Sequence, residues 1–331
     1  MQNIITKRQK KAKSDNAEGH HVFESFNQSV TLQTVFRQTG QNEEQVKFRE
    51  ALLRLHTYSS TYEDYTLFST QFWNNLTPAL RAEFDDVLHL LPTCASVLEF
   101  NSRKLVGSGR PILRCYAKHN HAEAKKVKSD DAEGLEKELL MAEGAKVMLT
   151  RNLWTLKGLV NGAQGVVKKI WFDQGSNAHS HLPAVIFVKF DGYSGPETPA
   201  WQGIDPSWVP IVPAVARWET KAGKALTRTQ YPLMLAWGIT IHKSQGLTLE
   251  KVAVELGEKD FAVGLTFVAI SRVKSLKGLA FRTHFDHAQL KKPKETDSML
   301  MLRRDTERHS QLGFQLNTYD MDLSEFVFAA D

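Results

Sequence analysis

Cysteine is scarce. Cys94 and Cys115 are the only two in 331 residues, too few for a disulfide framework and in keeping with a reducing compartment. Long apolar runs are missing too: a bilayer span needs about 20 such residues, and the longest run, residues 231–241, falls well short. The opening MQNIITKRQKKAK holds no apolar stretch of the kind a secretory leader needs. No internal repeat is visible. Neither sign of charge dominates: the net charge of +5 permits a polyanionic partner without demanding one. Hydrophobic residues at 42% and charged residues at 24% are ordinary for a globular chain. Composition therefore excludes membrane-spanning, collagenous and disulfide-rich classes, and leaves function to the motifs.

The length predicts about two domains. Residues 1–21 are polar with a basic cluster (Lys7, Arg8, Lys10, Lys11, Lys13) and read as a flexible arm. VTLQTVF from Val30 reads as a short strand ending at Arg37-Gln38. Glu43 to Leu55 reads as a helix with Val46, Leu52, Leu53 and Leu55 on its apolar face. Thr77-Pro78 has the form of a helix cap followed by proline at the first helical position. Leu80, Phe84, Val87, Leu88 and Leu91 then recur at helical steps until Pro92, and Ala95 to Leu105 reads as a further helix.

The character is expected to change near Gly144. AKVML, GVVKKIWF and PAVIFVKFD are β-rich runs separated by turn clusters, and seven of the eleven prolines lie between Pro183 and Pro232. That density predicts a small, strongly bent sheet or barrel. After Pro232 an α/β pattern returns, with strand-like VAVEL and GLAFRT on either side of FVAISRV. A β-rich block between α/β segments predicts an insertion within one domain. The tail from Lys291 is charged, with an amphipathic helix expected over Met299 to Leu312.

Three stretches hold the residue types of a phosphate or nucleic-acid site. Thr240-Ile241-His242-Lys243-Ser244-Gln245-Gly246 packs hydroxyl, imidazole, ammonium and amide groups behind an apolar run, and its glycine lets a backbone come close. A polar turn after a buried element fits the same residues. Arg272 sits inside apolar VAISRV, where its permanent charge needs an anion, either a carboxylate of the chain or a phosphate. Arg37 ends the expected strand, the place where α/β sheets commonly hold ligands.

Together and in order, FRQ, LPT with Asn101, GAKVMLTRNL with GLVNGAQGVV, LAWGITIHKSQGLTL and FVAISRV resemble the C-terminal half of the Pif family of 5′-to-3′ DNA helicases, over about residues 22–290. The resemblance is most specific in TIHKSQG and VAISR, and within the family it points to the type associated with fungal Helitron transposons. It implies an α/β fold: a RecA-like second motor domain from residues 22–148 and 233–290, an inserted Src-homology-3-like β-barrel over 149–232, and a tail over 291–331. It also implies roles in DNA recombination, repair or transposon replication, a nuclear or mitochondrial location, and no membrane.

The resemblance further implies specific site residues. Arg37 and Arg272 occupy the positions that reach the γ-phosphate of ATP. Gln245 and Gly246 line the same cleft. Thr240, His242 and Lys243 face single-stranded DNA, and Thr93 and Asn101 match contacts to the strand backbone. Two departures are mild: Gly238 stands where relatives often carry alanine, with a cost of about 1 kcal/mol if it lies in a helix, and Ile270 stands where leucine is usual.

A phosphate cradle requires G-x-x-x-x-G-K-[ST] and an acidic pair for Mg²⁺. The single Gly-Lys here, Gly223-Lys224, is followed by alanine, and no Asp-Glu dipeptide occurs. ATP and Mg²⁺ are thus expected only with a first motor domain, which the resemblance places upstream, and these residues are expected to hydrolyse no ATP alone. The alternative is a helicase-derived nucleic-acid-binding module without motor activity. Among the aromatics of the insert (Trp154, Trp171, Phe172, Phe187, Phe190, Tyr193, Trp201, Trp208 and Trp218), most are expected in the core, with one or two tryptophans left for bases. Cys115, His119 and His121 have no fourth partner at a usual spacing, so no metal is expected.

Overall fold

Four short runs become the strands of one parallel sheet in the computed structural model, which describes residues 22, 25–30, 35–173, 175, 182–199, 203–220, 223–257, 264–290 and 297–313. The strands are β1 (Leu88–Leu91), β2 (Leu113–Tyr116), β3 (Lys118–His119), β4 (Glu138–Met141), β5 (Lys146–Leu149), β6 (Gln164–Trp171) and β7 (Val185–Phe190). They continue with β8 (Val209–Ile211), β9 (Ala214–Glu219), β10 (Ala225–Gln230), β11 (Leu233–Leu235), β12 (Gly238–Thr240), β13 (Val252–Val254) and β14 (Leu279–Phe281). The helices are α1 (Glu43–His56), α2 (Tyr62–Ser69), α3 (Pro78–Ala82), α4 (Cys94–Gly107), α5 (Leu265–Ile270) and α6 (Asp297–Gln311).

The chain divides into two compact units. One comprises residues 1–36 with 292–331; its described part contains α6, whose Arg308 donates to the Phe26 carbonyl at 2.9 Å. The expected basic arm, residues 1–21, lies outside the described residues. The other unit, residues 37–291, holds every sheet among the described residues and all the candidate site residues.

The parallel sheet has the order β12-β1-β13-β14. Its register sets Leu90 beside Ile239 and Val254, and Val254 beside Phe281, so these side chains share one face. Phe48, Ala51, Leu52 and Leu55 of α1 and Leu265, Ala269 and Ile270 of α5 cover that face in one apolar cluster. The opposite face presents Gly238, Ala253 and Ala280 in register. Their small size lets α4 come close: a Cβ added at Gly238 would lie 2.9 Å from both Leu91 Cδ1 and Phe100 Cδ1. Helices thus cover both faces, the usual setting of a parallel sheet.

Some elements follow directly from local chemistry. Asn42 caps α1 by accepting from the Gln45 amide at 2.8 Å, with Glu43 and Glu44 in the favourable first turn. Thr77 caps α3 with Pro78 at its start. On α1, Leu52 and Leu55 are buried as expected, but Leu53 is 54% exposed and Phe48 takes the core position instead.

Other expectations change. The helical steps from Leu80 to Leu91 do not form one helix: α3 ends at Ala82, and Leu88–Leu91 is a fully buried central strand. Strands buried on both faces show no alternation, so a short apolar run cannot be told from a helix by spacing. Gly238 lies in a strand. The described residues of the VTLQTVF run carry no strand; residues 36–38 form a bend, and residues 31–34 lie outside the described set.

Antiparallel strands already begin at Leu113, earlier than the expected change near Gly144. They form a five-stranded sheet, β11-β5-β6-β7-β8, a three-stranded sheet, β3-β10-β9, and the pair β2-β4. A second apolar cluster including Leu139, Met141, Val147, Val167, Ile186 and Val188 lies among them. Phe190 belongs to this cluster and Phe187 is buried as well, whereas Trp154 is 43% exposed and Trp201 is outside the described residues. Only Ala236 and Trp237 separate β11 from β12, so the chain passes directly from the antiparallel to the parallel sheet.

Candidate functional site

Arg37 and Arg272 lie 235 positions apart and meet at one residue, Ser271. Arg37 Nη1 donates to the Ser271 carbonyl at 3.0 Å, and Arg272 Nη2 donates to the Ser271 hydroxyl at 2.8 Å. Arg272 follows the end of α5, is 9% exposed, and donates from Nε to the Val268 carbonyl at 2.8 Å. Burial, and then the neighbouring Arg37 guanidinium, pull its pKa below the ordinary value. An arginine starts so far above neutrality that it stays charged.

Among the described residues, neither guanidinium is paired with a carboxylate. Arg37 spends Nε and one Nη1 bond, and Arg272 spends Nε and one Nη2 bond; the other N–H groups have no acceptor among the described residues. Two forked cations with free donors, one of them buried, offer the donor chemistry that an anion with several oxygens can accept from. The internal ion pair that sequence alone leaves open for Arg272 is not present among the described residues.

Sequence reasoning passed over the residues that set this pair. Gln38, 5% exposed, donates its amide to the carbonyls of Ser271 at 3.1 Å and Val273 at 2.8 Å, on either side of Arg272. Gln45 donates to the Lys274 carbonyl at 2.7 Å. Thr248 accepts from Arg37 Nε at 2.9 Å. The FRQ and TIHKSQGLTL stretches contain Gln38 and Thr248, but nothing in the sequence shows which distant group each one meets.

The 240–248 segment leaves β12 through a tight turn over Ile241–Ser244, capped by Thr240. Ile241 and Ser244 are buried; His242, Lys243, Gln245 and Gly246 are exposed. Two cavities border this segment. Lys243 and Gln245 together line a cavity of about 490 Å³ with Asp130, Glu133 and Arg151, while Lys243 and Thr240 line one of about 680 Å³ with Cys94, Leu98 and Asn101. Gly246, at φ +86°, bends the chain beyond Gln245, and Thr248 rather than Gln245 makes the contact with Arg37.

Thr93 and Asn101 have structural work that the resemblance did not suggest. The Thr93 hydroxyl caps α4, accepting from the Ser96 amide at 3.0 Å. Asn101 is 5% exposed and clasps Gly238 reciprocally, donating to its carbonyl and accepting from its amide, both at 2.8 Å. An amide so engaged holds α4 to the start of β12.

Cys115, His119 and His121 go separate ways. Cys115 is buried, which pushes its thiol pKa up to about 11. His119 accepts from Arg228 Nε at 3.1 Å, and His121 contacts Lys224. Arg228 is fully buried, and its other donors reach the carbonyls of Leu135, Ala124 and Val127, tying residues 119–135 to β10. Among the described residues no helix is long and apolar enough to cross a membrane.

Residues 131–170 match the family model described as DNA helicase Pif1, 2B domain. The ATP-dependent DNA helicase PIF1 of Homo sapiens is 41% identical over 138 residues, covering 41% of this chain and 18% of that protein. The resemblance to the Pif family is borne out. The PIF1 protein of Danio rerio is 40% identical over 156 residues, 46% of this chain and 21% of its own length. PIF6 of Trypanosoma brucei brucei is 32% identical over 190 residues, 57% and 22% respectively. The matched part thus spans about a fifth of these curated relatives.

The fold is similar to that of Pif1 helicase from Candida albicans, with a TM-score of 0.60 at 24% identity over 85% of this chain and 61% of that one. It is also similar to Bacteroides Pif1 bound to ssDNA, with a TM-score of 0.58 at 24% identity, covering 87% and 59%. At that identity the likeness speaks for the α/β fold.

Proposed function

We propose that this chain acts as the second motor half of an ATP-dependent 5′-to-3′ DNA helicase of the Pif type. In this reading Arg37 and Arg272 are arginine fingers that close on the terminal phosphate of ATP and Mg²⁺ held by a first RecA-like domain. The observation that carries it is the cation pair: two guanidiniums meeting at Ser271, unpaired with carboxylates among the described residues and with N–H groups to spare. Charge that develops on a transferred phosphoryl group is what such forks stabilise, and a finger contributes about 10³–10⁵ in rate where a phosphate cradle exists.

Lys243 and His242, exposed beside Thr240, are proposed to face single-stranded DNA, and the antiparallel strands β6 to β10 to belong to the inserted Src-homology-3-like barrel. Domain boundaries at 149 and 232, and a nuclear or mitochondrial location, belong to the same reading. The sequence has no G-x-x-x-x-G-K-[ST], so the fragment by itself is proposed to be inactive. The proteins it resembles are named as ATP-dependent DNA helicases, which favours a motor half over a binding module alone.

The test is ATPase activity with single-stranded DNA, measured for the purified chain, for a separately expressed P-loop motor domain, and for the mixture. Activity above the sum of the parts is expected from the mixture. Turnover by the chain alone, or no gain on mixing, would contradict the reading.

A further inference from the structure

Arg37 is only half-buried, so its guanidinium needs a device to hold its direction. Two contacts supply one. The Ser271 carbonyl takes Nη1 at 3.0 Å, and the Thr248 hydroxyl takes Nε at 2.9 Å. Bonds on Nε and one terminal nitrogen fix the plane of a guanidinium and its rotation in that plane, which a single bond does not. The donors left over are those available to a ligand beside Arg272.

We infer that Thr248 is a positioning residue that fixes the Arg37 guanidinium for the anion shared with Arg272 and joins the cation pair to the segment holding Lys243 and Gln245. The inference rests on the reading of Arg37 and Arg272 as a phosphate site and adds to it a residue that touches no phosphate. The neighbouring backbone is held independently. Leu249 donates its amide to the Arg272 carbonyl at 2.9 Å, and Gln38 brackets Arg272 from the other side. Removing the Thr248 hydroxyl therefore frees the Arg37 fork without dismantling the loop. Thr248 is exposed, so valine, similar in shape but without an acceptor, buries no unpaired group.

The test titrates inorganic triphosphate into the full 331-residue chain by calorimetry, alongside Arg37→Ala, Arg272→Ala, Thr248→Val and Thr248→Ser. The Arg37 Nε–H resonance is followed by NMR. Arg37→Ala and Arg272→Ala are expected to weaken binding tenfold or more. Thr248→Val should weaken it about fivefold, as loss of one hydrogen bond to a charged, half-exposed group does, and shift the Nε–H resonance, while Thr248→Ser restores both. Wild-type affinity in Thr248→Val with a loss in Arg37→Ala would overturn the positioning role and leave the phosphate site standing. A loss in Thr248→Ser equal to that in Thr248→Val would overturn it too, since the hydroxyl would then not be the active part. No triphosphate binding by the wild type, or none lost in Arg37→Ala, would overturn the phosphate reading and this inference with it.

Discussion

Gln38 donates its side-chain amide to the carbonyl oxygen of Val273 at 2.8 Å, and the same nitrogen reaches the Ser271 carbonyl at 3.1 Å. One buried side chain therefore brackets Arg272 and, through its own backbone, fixes Arg37 next to it. Gln38→Leu removes both donors and leaves the Val273 carbonyl without that partner. A loss of about 1–3 kcal/mol in unfolding free energy is expected from a buried group so treated. Urea denaturation followed by circular dichroism measures it; an unchanged midpoint would show that the bracket contributes nothing.

Asn101 separates two accounts of the same residue. If it holds Gly238 through two bonds at 2.8 Å, Asn101→Leu costs about 2–4 kcal/mol of stability, two buried hydrogen bonds' worth. The protein that stays folded should keep its affinity for single-stranded DNA. A strand contact would give the reverse: intact stability with weakened DNA binding in a fluorescence anisotropy titration.

His89 sets a pH dependence. It lies on β1 at 5% exposure, stacked on Phe100 with ring centroids 4.4 Å apart, and its Nδ1 has no partner among the described residues. Burial first, then the charges of Arg282, Lys104, Lys146 and Arg103, lower its pKa to about 4 from 6.5. Between pH 6.5 and pH 4 the unfolded chain binds a proton that the folded chain refuses, so stability falls as pH falls through that window. The loss amounts to on the order of 3 kcal/mol by pH 4. His89→Phe should flatten the difference in unfolding free energy between pH 7 and pH 4, and parallel profiles for the two proteins would contradict the assignment.

Gly238 makes a packing test. Alanine there would place its Cβ 2.9 Å from Leu91 Cδ1 and Phe100 Cδ1. The leucine end gives way more readily than the ring, so a cost of about 1–2 kcal/mol is expected. Trimming the ring with Phe100→Leu in the same chain should return part of that cost. A Gly238→Ala protein melting at or above the wild-type temperature would show that α4 has more room than the geometry allows.

Much of the local structure was legible because its causes are local. The Thr77-Pro78 pair, the helical run from Glu43 to Leu55, and the helix from Ala95 to Leu105 act within one or two turns. The resemblance brought Arg37 and Arg272 to one place across more than two hundred positions. Leu88–Leu91 was misread because a strand buried on both faces carries no period. Gln38 acquires its role from backbone carbonyls 233 and 235 residues away, Thr248 from the Arg37 guanidinium 211 residues away, and Asn101 from the Gly238 backbone, and residue type alone does not name such partners. Gly238 looked like a weakness in a helix; in the fold it is the gap that admits Phe100.

The most direct measurement is the DNA-stimulated ATPase rate of the chain mixed with a P-loop motor domain, comparing wild type with Arg272→Ala. A fall of about 10³-fold or more is the size expected for a lost arginine finger, with the two halves still associating by sedimentation. An Arg272→Ala mixture that turns over ATP at the wild-type rate would contradict the account.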